Sequence, residues 1–381
     1  MAESRDIFIV CNSIEELGGL AQWAHDIARL FTERGHHVHL IGITAPAAYR
    51  DYGSNLPYRT SRMLDFHLSI IKRPTGLRRL NVRAQLRARW YERLMRQVGQ
   101  RLTEIFRSAR PGGVIIVAQI WAMEWVAHAD TAGLKVIGMG HESYEASRRS
   151  SRYARVKRFY ADVDRFLVLT EEDADAWARD GMSNVGAMPN PLLVKPQHLP
   201  TLDEPVVVTL RRLAHDKGID MLLEAWAHVA PAYPEWTLHV YGSGPDEEAL
   251  RQQARDLGLD DTAIFRGLTT DIDSALSSAS IYALPSREEG FPIAVMEAMA
   301  YGLPTVAFDC APGIRELIDD EESGLVITPG NVLAFATALE RLMKDRDLRV
   351  RMGQRARESV QRFSPDVIVD RWEALFDLLY R

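Results

Sequence analysis

The sequence is short of long apolar runs. No stretch of about eighteen consecutive apolar residues occurs, so no membrane-spanning helix is expected. The opening residues, MAESRD, lack a basic-then-apolar pattern, and no secretory leader is expected. Cysteine is nearly absent. Cys11 and Cys310 each lie in or beside an apolar strand-like run. They read as small core residues rather than as a disulfide, which fits a reducing cytoplasm. There is no CxxC and no His–Cys cluster, so no structural metal is expected. The first strand is not followed by GxGxxG, which argues against a dinucleotide oxidoreductase.

What is present is ordinary globular material. The 381 residues suit two or three domains, and 46% hydrophobic with 26% charged residues is the composition of a folded, water-exposed protein. The overall charge of −6 conceals an asymmetry. Residues 1–190 carry a net +6 and residues 191–381 a net −12, which points to two domains with different partners.

The N-terminal half begins as a βαβ unit. An apolar strand at 7–11 leads through NSIEELGG into a helix over about 20–34, with Leu20, Trp23, Ile27 and Phe31 on one face and Gly35 closing it. A strand follows at 36–43. This start implies a doubly wound parallel sheet. Residues 44–80 hold Pro46, Pro57 and Pro74 with weak periodicity and read as an irregular insertion. From Lys72 to Arg110 there are twelve Lys and Arg against Glu92 and Glu104. Much of this stretch reads as a long helix with Leu86, Trp90, Leu94, Val98 and Leu102 at helical spacing. A second basic cluster holds Arg148, Arg149, Arg152, Arg155, Lys157 and Arg158. Either cluster reads as a solvated face or as a site for an anionic acceptor or an anionic membrane surface. No nucleic-acid recognition motif is present, and no nucleic-acid partner is expected. Strand runs at 114–118 and 135–138 follow, the second ending in Gly140-His141-Glu142. A residue at a strand's carboxyl end in such a sheet borders the ligand crevice. Thr170 suits the cap of a helix starting at Glu171, and MPNPL opens a linker at about 189–203.

The second half repeats the strand–loop–helix rhythm. A strand at 205–210 runs into RRLAHDKG, which places Arg212 and Lys217 where a strand ends and a helix begins. Arg can grip two oxygens and Lys supplies a point charge, so the pair suits a diphosphate. Gly242-Ser243-Gly244-Pro245 is a near miss to a phosphate-binding glycine loop. Asp271 and Asp273 form a DxD, but Asp271 reads more simply as a helix cap than as a metal ligand. The densest signal is SREEGFPIAVMEAMAYGLPT, residues 286–305. Strand, turn and helix follow one another, with Pro292 at the first helical position and Gly302 at the C′ position. The helix start offers free amides to an anion. Glu289 precedes it, and Ile293 and Glu297 share a helix face.

Glu289 and Glu297 form E-x7-E with the flanks EGFP, EAMA and GLP. This pattern resembles the retaining glycosyltransferases of family 4, most densely over residues 166–362. The resemblance implies the GT-B fold, two Rossmann-like doubly wound α/β domains facing a cleft. The expected divisions are an acceptor domain at 1–190, a nucleotide-sugar domain at 191–363, and a final helix at 364–381 that crosses back to the first. It implies a nucleotide diphosphate sugar as donor, a UDP-sugar favoured, and no metal or other cofactor. Arg212 and Lys217 would hold the phosphates and the leaving group. Glu289, Gly290, Phe291, Pro292 and Ile293 would hold the sugar, Glu297 the ribose, and Gly267 would border the base. Gly18 and Gly19 match the family's Gly-Gly near substrate, and His141 its histidine near the anomeric centre, where a purely structural strand-end histidine is the other reading. Where the family has glycine this chain has Arg211. The implied reaction transfers a hexose or N-acetylhexosamine with retention to an anionic glycan, polymer or lipid-linked acceptor, in cytoplasm or on the inner membrane face. The alternatives are natural-product glycosylation, a glucan synthase or a nucleotide-sugar epimerase.

Overall fold

A computed structural model describes residues 3–68 and 81–381. Lys72 and the rest of 69–80, which open the first basic stretch, lie outside the described residues. The chain divides into two compact units, residues 1–188 with 369–381, and residues 189–368.

The first unit carries β1 (Asp6–Cys11), α1 (Gly19–Glu33), β2 (His37–Gly42), β3 (Arg59–Arg62), α2 (Val82–Arg107), β4 (Val114–Val117), α3 (Ile120–Val126), β5 (Lys135–Met139), α4 (Tyr144–Arg148), α5 (Arg152–Phe159), β6 (Arg165–Val168), α6 (Glu171–Arg179) and β7 (Val185–Ala187). All the strands pair in parallel, in the order β3-β2-β1-β4-β5-β6-β7. The central strands are apolar on both faces because helices cover both, and β1 and β4 are almost wholly buried. Thr170 caps α6 by accepting from Asp173 N at 3.1 Å.

The second unit carries β8 (Val206–Leu210), α7 (Ile219–Val229), β9 (Thr237–Tyr241), α8 (Glu247–Asp256), β10 (Ala263–Gly267), α9 (Ile272–Ser277), β11 (Ile281–Leu284), α10 (Ile293–Ala300), β12 (Thr305–Phe308), α11 (Pro312–Leu317), β13 (Gly324–Ile327), α12 (Val332–Lys344) and α13 (Arg346–Ser359). Its strands are also all parallel, ordered β10-β9-β8-β11-β12-β13. The last helix, α14 (Pro365–Leu379), belongs over most of its length to the first unit. Trp372 and Phe376 pack on Phe31 with ring centroids 5.9 and 5.6 Å apart, and Arg5 Nη2 donates to Asp377 at 2.9 Å.

In each sheet the strand order reverses once, between β1 and β4 in the first unit and between β8 and β11 in the second. The carboxyl ends of those strands are where an open α/β sheet leaves a crevice. Among the described residues no helix is long and apolar enough to cross a membrane.

Three local expectations need correction. The insertion at 44–80 contains the edge strand β3, whose RTSR has no apolar run to betray it. Pro292 is the N-cap of α10 and not its first helical residue, because its ψ of 101° is still extended. In α2, Val98 and Leu102 are buried, but Leu86 and Trp90 are 59% and 46% exposed. A four-residue spacing drifts by about 40° per step, so Leu86 faces nearly opposite to Leu102.

Candidate active site

The second unit gathers its charged side chains at the switch point. β8 delivers Arg211 and Arg212, and β11 delivers Ser286 to Glu289. The two loops are pressed together. Gly218 has φ +67°, and a Cβ on it would stand 1.9 Å from the Pro285 carbonyl, so only glycine fits. Gly242 does the same on the other side, where a Cβ would meet the Arg211 carbonyl at 1.8 Å. The glycine loop 242–244 is therefore a backing for the arginine loop. Arg287 fastens the assembly. Its guanidinium meets both oxygens of Asp220 at 2.7 and 2.6 Å and donates to the His215 carbonyl at 2.8 Å. Its backbone N–H donates to Asp216 O at 2.9 Å.

Glu289 is at the centre, with its side chain only 8% exposed. Lys217 Nζ donates to Glu289 Oε1 at 3.0 Å and also meets Asp216 Oδ2 at 3.2 Å. The second cation on Glu289 is Arg211, whose Nη2 donates to the same oxygen and whose side chain is equally buried. Arg212, expected beside Lys217 on the phosphates, does not meet Glu289; it is 65% exposed and reaches Asp216 at 3.3 Å. The two arginines directly follow β8, where neighbouring residues of a strand point to opposite sides. Nε of Arg211 is buried with no partner. Burial pushes the Lys217 ammonium below its usual pKa, Arg211 pushes the same way, and Asp216 opposes both.

Glu297, one turn into α10, keeps some surface exposure. Burial nonetheless pushes its carboxyl up to about 7, against the pull of Arg211. Ile293 is 38% exposed, whereas Phe291 is 5% exposed and packs edge-on against Phe363 with centroids 5.3 Å apart. The Phe291 side chain is thus core, and only its backbone remains for a ligand. Gly290 and Pro292 shape the turn between Glu289 and α10, and Gly267 ends β10 with its carbonyl accepting from Gly242 N at 2.8 Å. Asp271 Oδ1 caps α9 by accepting from Ser274 N at 2.9 Å, and Asp273 accepts from the Tyr301 hydroxyl at 2.6 Å. Among the described residues no group of three or more His, Cys, Asp or Glu could hold a metal.

The first unit has a cavity of about 330 Å³ at its own switch point, bordered by Asn12, Gln119, His141, Glu142, Arg152 and Arg155. The Gln119 side chain accepts from Asn12 N at 2.8 Å across the β1–β4 divide. His141 sits edge-on to Trp23, with centroids 4.7 Å apart, and its Nε2 has no partner. Burial pushes its pKa down to about 4, so the ring is neutral at pH 7. Gly18 caps α1 and Gly19 begins it, and a Cβ on either would meet nothing within 4 Å. No internal crowding calls for glycine there; open space above bare backbone is what a closely approaching ligand uses.

Sequence reasoning missed Arg211, Arg287 and the Asn12–Gln119 pair. The signal for Asn12 was available, since it directly follows the last residue of a central strand.

Two Rossmann-like units, the second with cations and a helix start converging at its switch point, define a GT-B fold. The chain belongs to the glycosyltransferases: residues 17–192 match "Glycosyltransferase Family 4" and residues 194–359 match "Glycosyl transferases group 1". It is 32% identical over 239 residues to an uncharacterized glycosyltransferase of Haemophilus influenzae, a match covering 61% of this chain and 68% of that one. It is 26% identical over 244 residues to the poly(ribitol-phosphate) alpha-N-acetylglucosaminyltransferase of Staphylococcus aureus, covering 62% and 49%. It spans 27% and 24% of the length of two other relatives. Among solved structures it is similar to S. aureus TarM in complex with fondaparinux, alpha-GlcNAc-glycerol and UDP. That match has a TM-score of 0.75 at 15% identity and covers 98% of this chain and 99% of that one.

Proposed function

We propose that this chain transfers a hexose or N-acetylhexosamine, with retention, from a nucleotide diphosphate sugar to an acceptor hydroxyl of a cell-surface polysaccharide, teichoic-type polymer or glycolipid. The observation that carries the donor half is Lys217 Nζ at 3.0 Å from Glu289 Oε1, at the carboxyl ends of the two switch-point strands and just before α10. Pyrophosphate binds there against Lys217, the exposed Arg212 and the α10 amides. As it takes over Lys217, Glu289 is released to accept from sugar hydroxyls. Glu297, when ionised, accepts from the ribose diol. A UDP-sugar is favoured, and UDP in complex with TarM supports that choice. The names of the S. aureus and Bacillus subtilis relatives, which act on poly(ribitol-phosphate) and poly(glycerol-phosphate), support an anionic envelope polymer as acceptor.

The first unit takes the acceptor. Neutral His141, with Nε2 unpartnered beside the cavity, hydrogen-bonds at the reacting centre. No separate carboxylate nucleophile is assigned, so the acceptor attacks on the face the leaving group departs from, and the leaving phosphate takes its proton. Arg211, Lys217 and the α10 amides stabilise that phosphate's developing charge. No metal is assigned, since Asp271 and Asp273 are engaged in the fold.

The test is a melting-temperature screen against UDP-, GDP- and ADP-sugars, followed by transfer assays with the best donor. A ligand that binds only the folded chain raises its melting temperature. One nucleotide series should stabilise the protein, Lys217→Ala should remove that stabilisation, and Glu289→Ala should abolish transfer. No stabilisation by any of them, or full transfer by Glu289→Ala, would refute the reading.

A further inference from the structure

The structure separates the two basic clusters that the sequence left equivalent. In the second, Arg152 pairs with Glu142 at 2.8 Å, Arg155 with Glu124, Lys157 with Asp180 at 3.3 Å and Arg148 with Glu145 at 3.8 Å. Most of that charge is used inside the fold. At the start of α2 the opposite holds, although further along Arg96 pairs with Glu92 at 3.9 Å and Arg107 with Asp130 at 2.8 Å. Arg83, Arg87, Arg89 and Arg93 are all exposed, and among the described residues none of them makes an ion pair. Between them run Val82, Leu86 and Trp90, exposed by 67%, 59% and 46%. At about 100° per residue these three span an arc of about 80°. Arg89 falls about 20° outside one margin of that arc and Arg83 about 20° outside the other, with Arg87 further round on the Arg83 side, while Arg93 follows the stripe within the arc just past Trp90. The opposite side of the helix is core, from Ala88 and Tyr91 on through Met95, Val98 and Leu102.

We propose that the first three turns of α2 are a docking surface for an anionic lipid bilayer. An exposed apolar stripe edged on both sides by unpaired arginines is the pattern of a helix lying in a membrane interface. The stripe enters the acyl boundary while the arginines meet headgroup phosphates and the negative surface potential. A second copy of the chain fits poorly, because a symmetric pairing of this stripe would bring arginine against arginine. A purely acidic polymer would satisfy the arginines and leave Leu86 and Trp90 in water. The surface contains none of the proposed donor or acceptor residues, so it stands or falls apart from the transferase reading.

The test is flotation of the full chain with vesicles of phosphatidylcholine, with and without phosphatidylglycerol, read without any turnover. Binding should require phosphatidylglycerol and fall with added salt. Leu86→Ser/Trp90→Ser should weaken it at least about tenfold, through lost apolar burial. Arg87→Gln/Arg89→Gln/Arg93→Gln should weaken it comparably. Both variants alter exposed side chains and should keep the wild-type melting temperature. Independently of any variant's folding, brominated acyl chains should quench wild-type tryptophan fluorescence, and Trp90→Phe should lose that quenching. Absence of binding to anionic vesicles would overturn the proposal. So would wild-type binding by the Leu86→Ser/Trp90→Ser chain, absence of quenching, or a dimer that dissociates on these substitutions.

Discussion

Glu297→Gln is the substitution whose effect can be worked through most fully. Burial raises the Glu297 carboxyl from its usual 4.5 to about 7. Ionising it inside the fold therefore costs up to about 3 kcal/mol. Because the folded pKa lies above the unfolded one, the group's favourable contribution is complete below pH 4.5. It is lost as pH rises through 7, and above 7 the wild type carries the full penalty. Glutamine has the same shape and does not titrate. The free energy of urea unfolding, measured for both chains at pH 5, 7 and 9, should thus give a difference that moves by about 2–3 kcal/mol in favour of the variant as pH rises. Other titrating groups are common to both chains and cancel. The same variant should bind nucleotide more weakly at pH 8, because the neutral amide is a poorer acceptor for the ribose diol. A stability difference that stays flat with pH would refute the argument, since it would mean that Glu297 titrates as it does in water.

Arg211→Ala should cost about 1–3 kcal/mol in urea unfolding, because it removes a buried charge-assisted bond to Glu289, whereas exposed Arg212→Ala should stay within about 0.5 kcal/mol; the reverse order would contradict the placement of the two arginines. Arg287→Met breaks a half-exposed bidentate pair and should cost only about 1 kcal/mol, yet it should weaken nucleotide affinity in calorimetry by loosening the Lys217 loop; unchanged affinity would remove Arg287 from that role. Trp372→Ala, at 1% exposure, should destabilise the first unit by about 3–5 kcal/mol while leaving nucleotide affinity intact, and a loss of affinity without a loss of stability would be inconsistent with its purely packing role.

The local order of the chain was legible from the residues alone. Apolar runs of three to five residues marked β1, β4, β8 and β12, because strands covered by helices on both faces must be apolar on both. The Thr170 and Asp271 caps and the Gly302 terminator marked helix ends, because these act within a few residues of backbone. Glu289, Glu297 and Lys217 could be singled out by their spacing around a strand end and a helix start. The polar edge strand β3 could not, because an edge needs no apolar pattern and acquires its pairing only from β2.

Which arginine meets Glu289 was decided only in three dimensions. Arg211 and Arg212 are adjacent and chemically identical in the sequence, and burial chose between them through the approach of β11 to β8, about 75 residues apart along the chain. The two basic clusters likewise read alike until tertiary contacts paired most of the second and left Arg83, Arg87, Arg89 and Arg93 of the first facing solvent. Spacing and composition fix what a short segment can do by itself. Charge pairing, desolvation and exposure depend on partners distant in the chain, and those exist only once the sheets have formed.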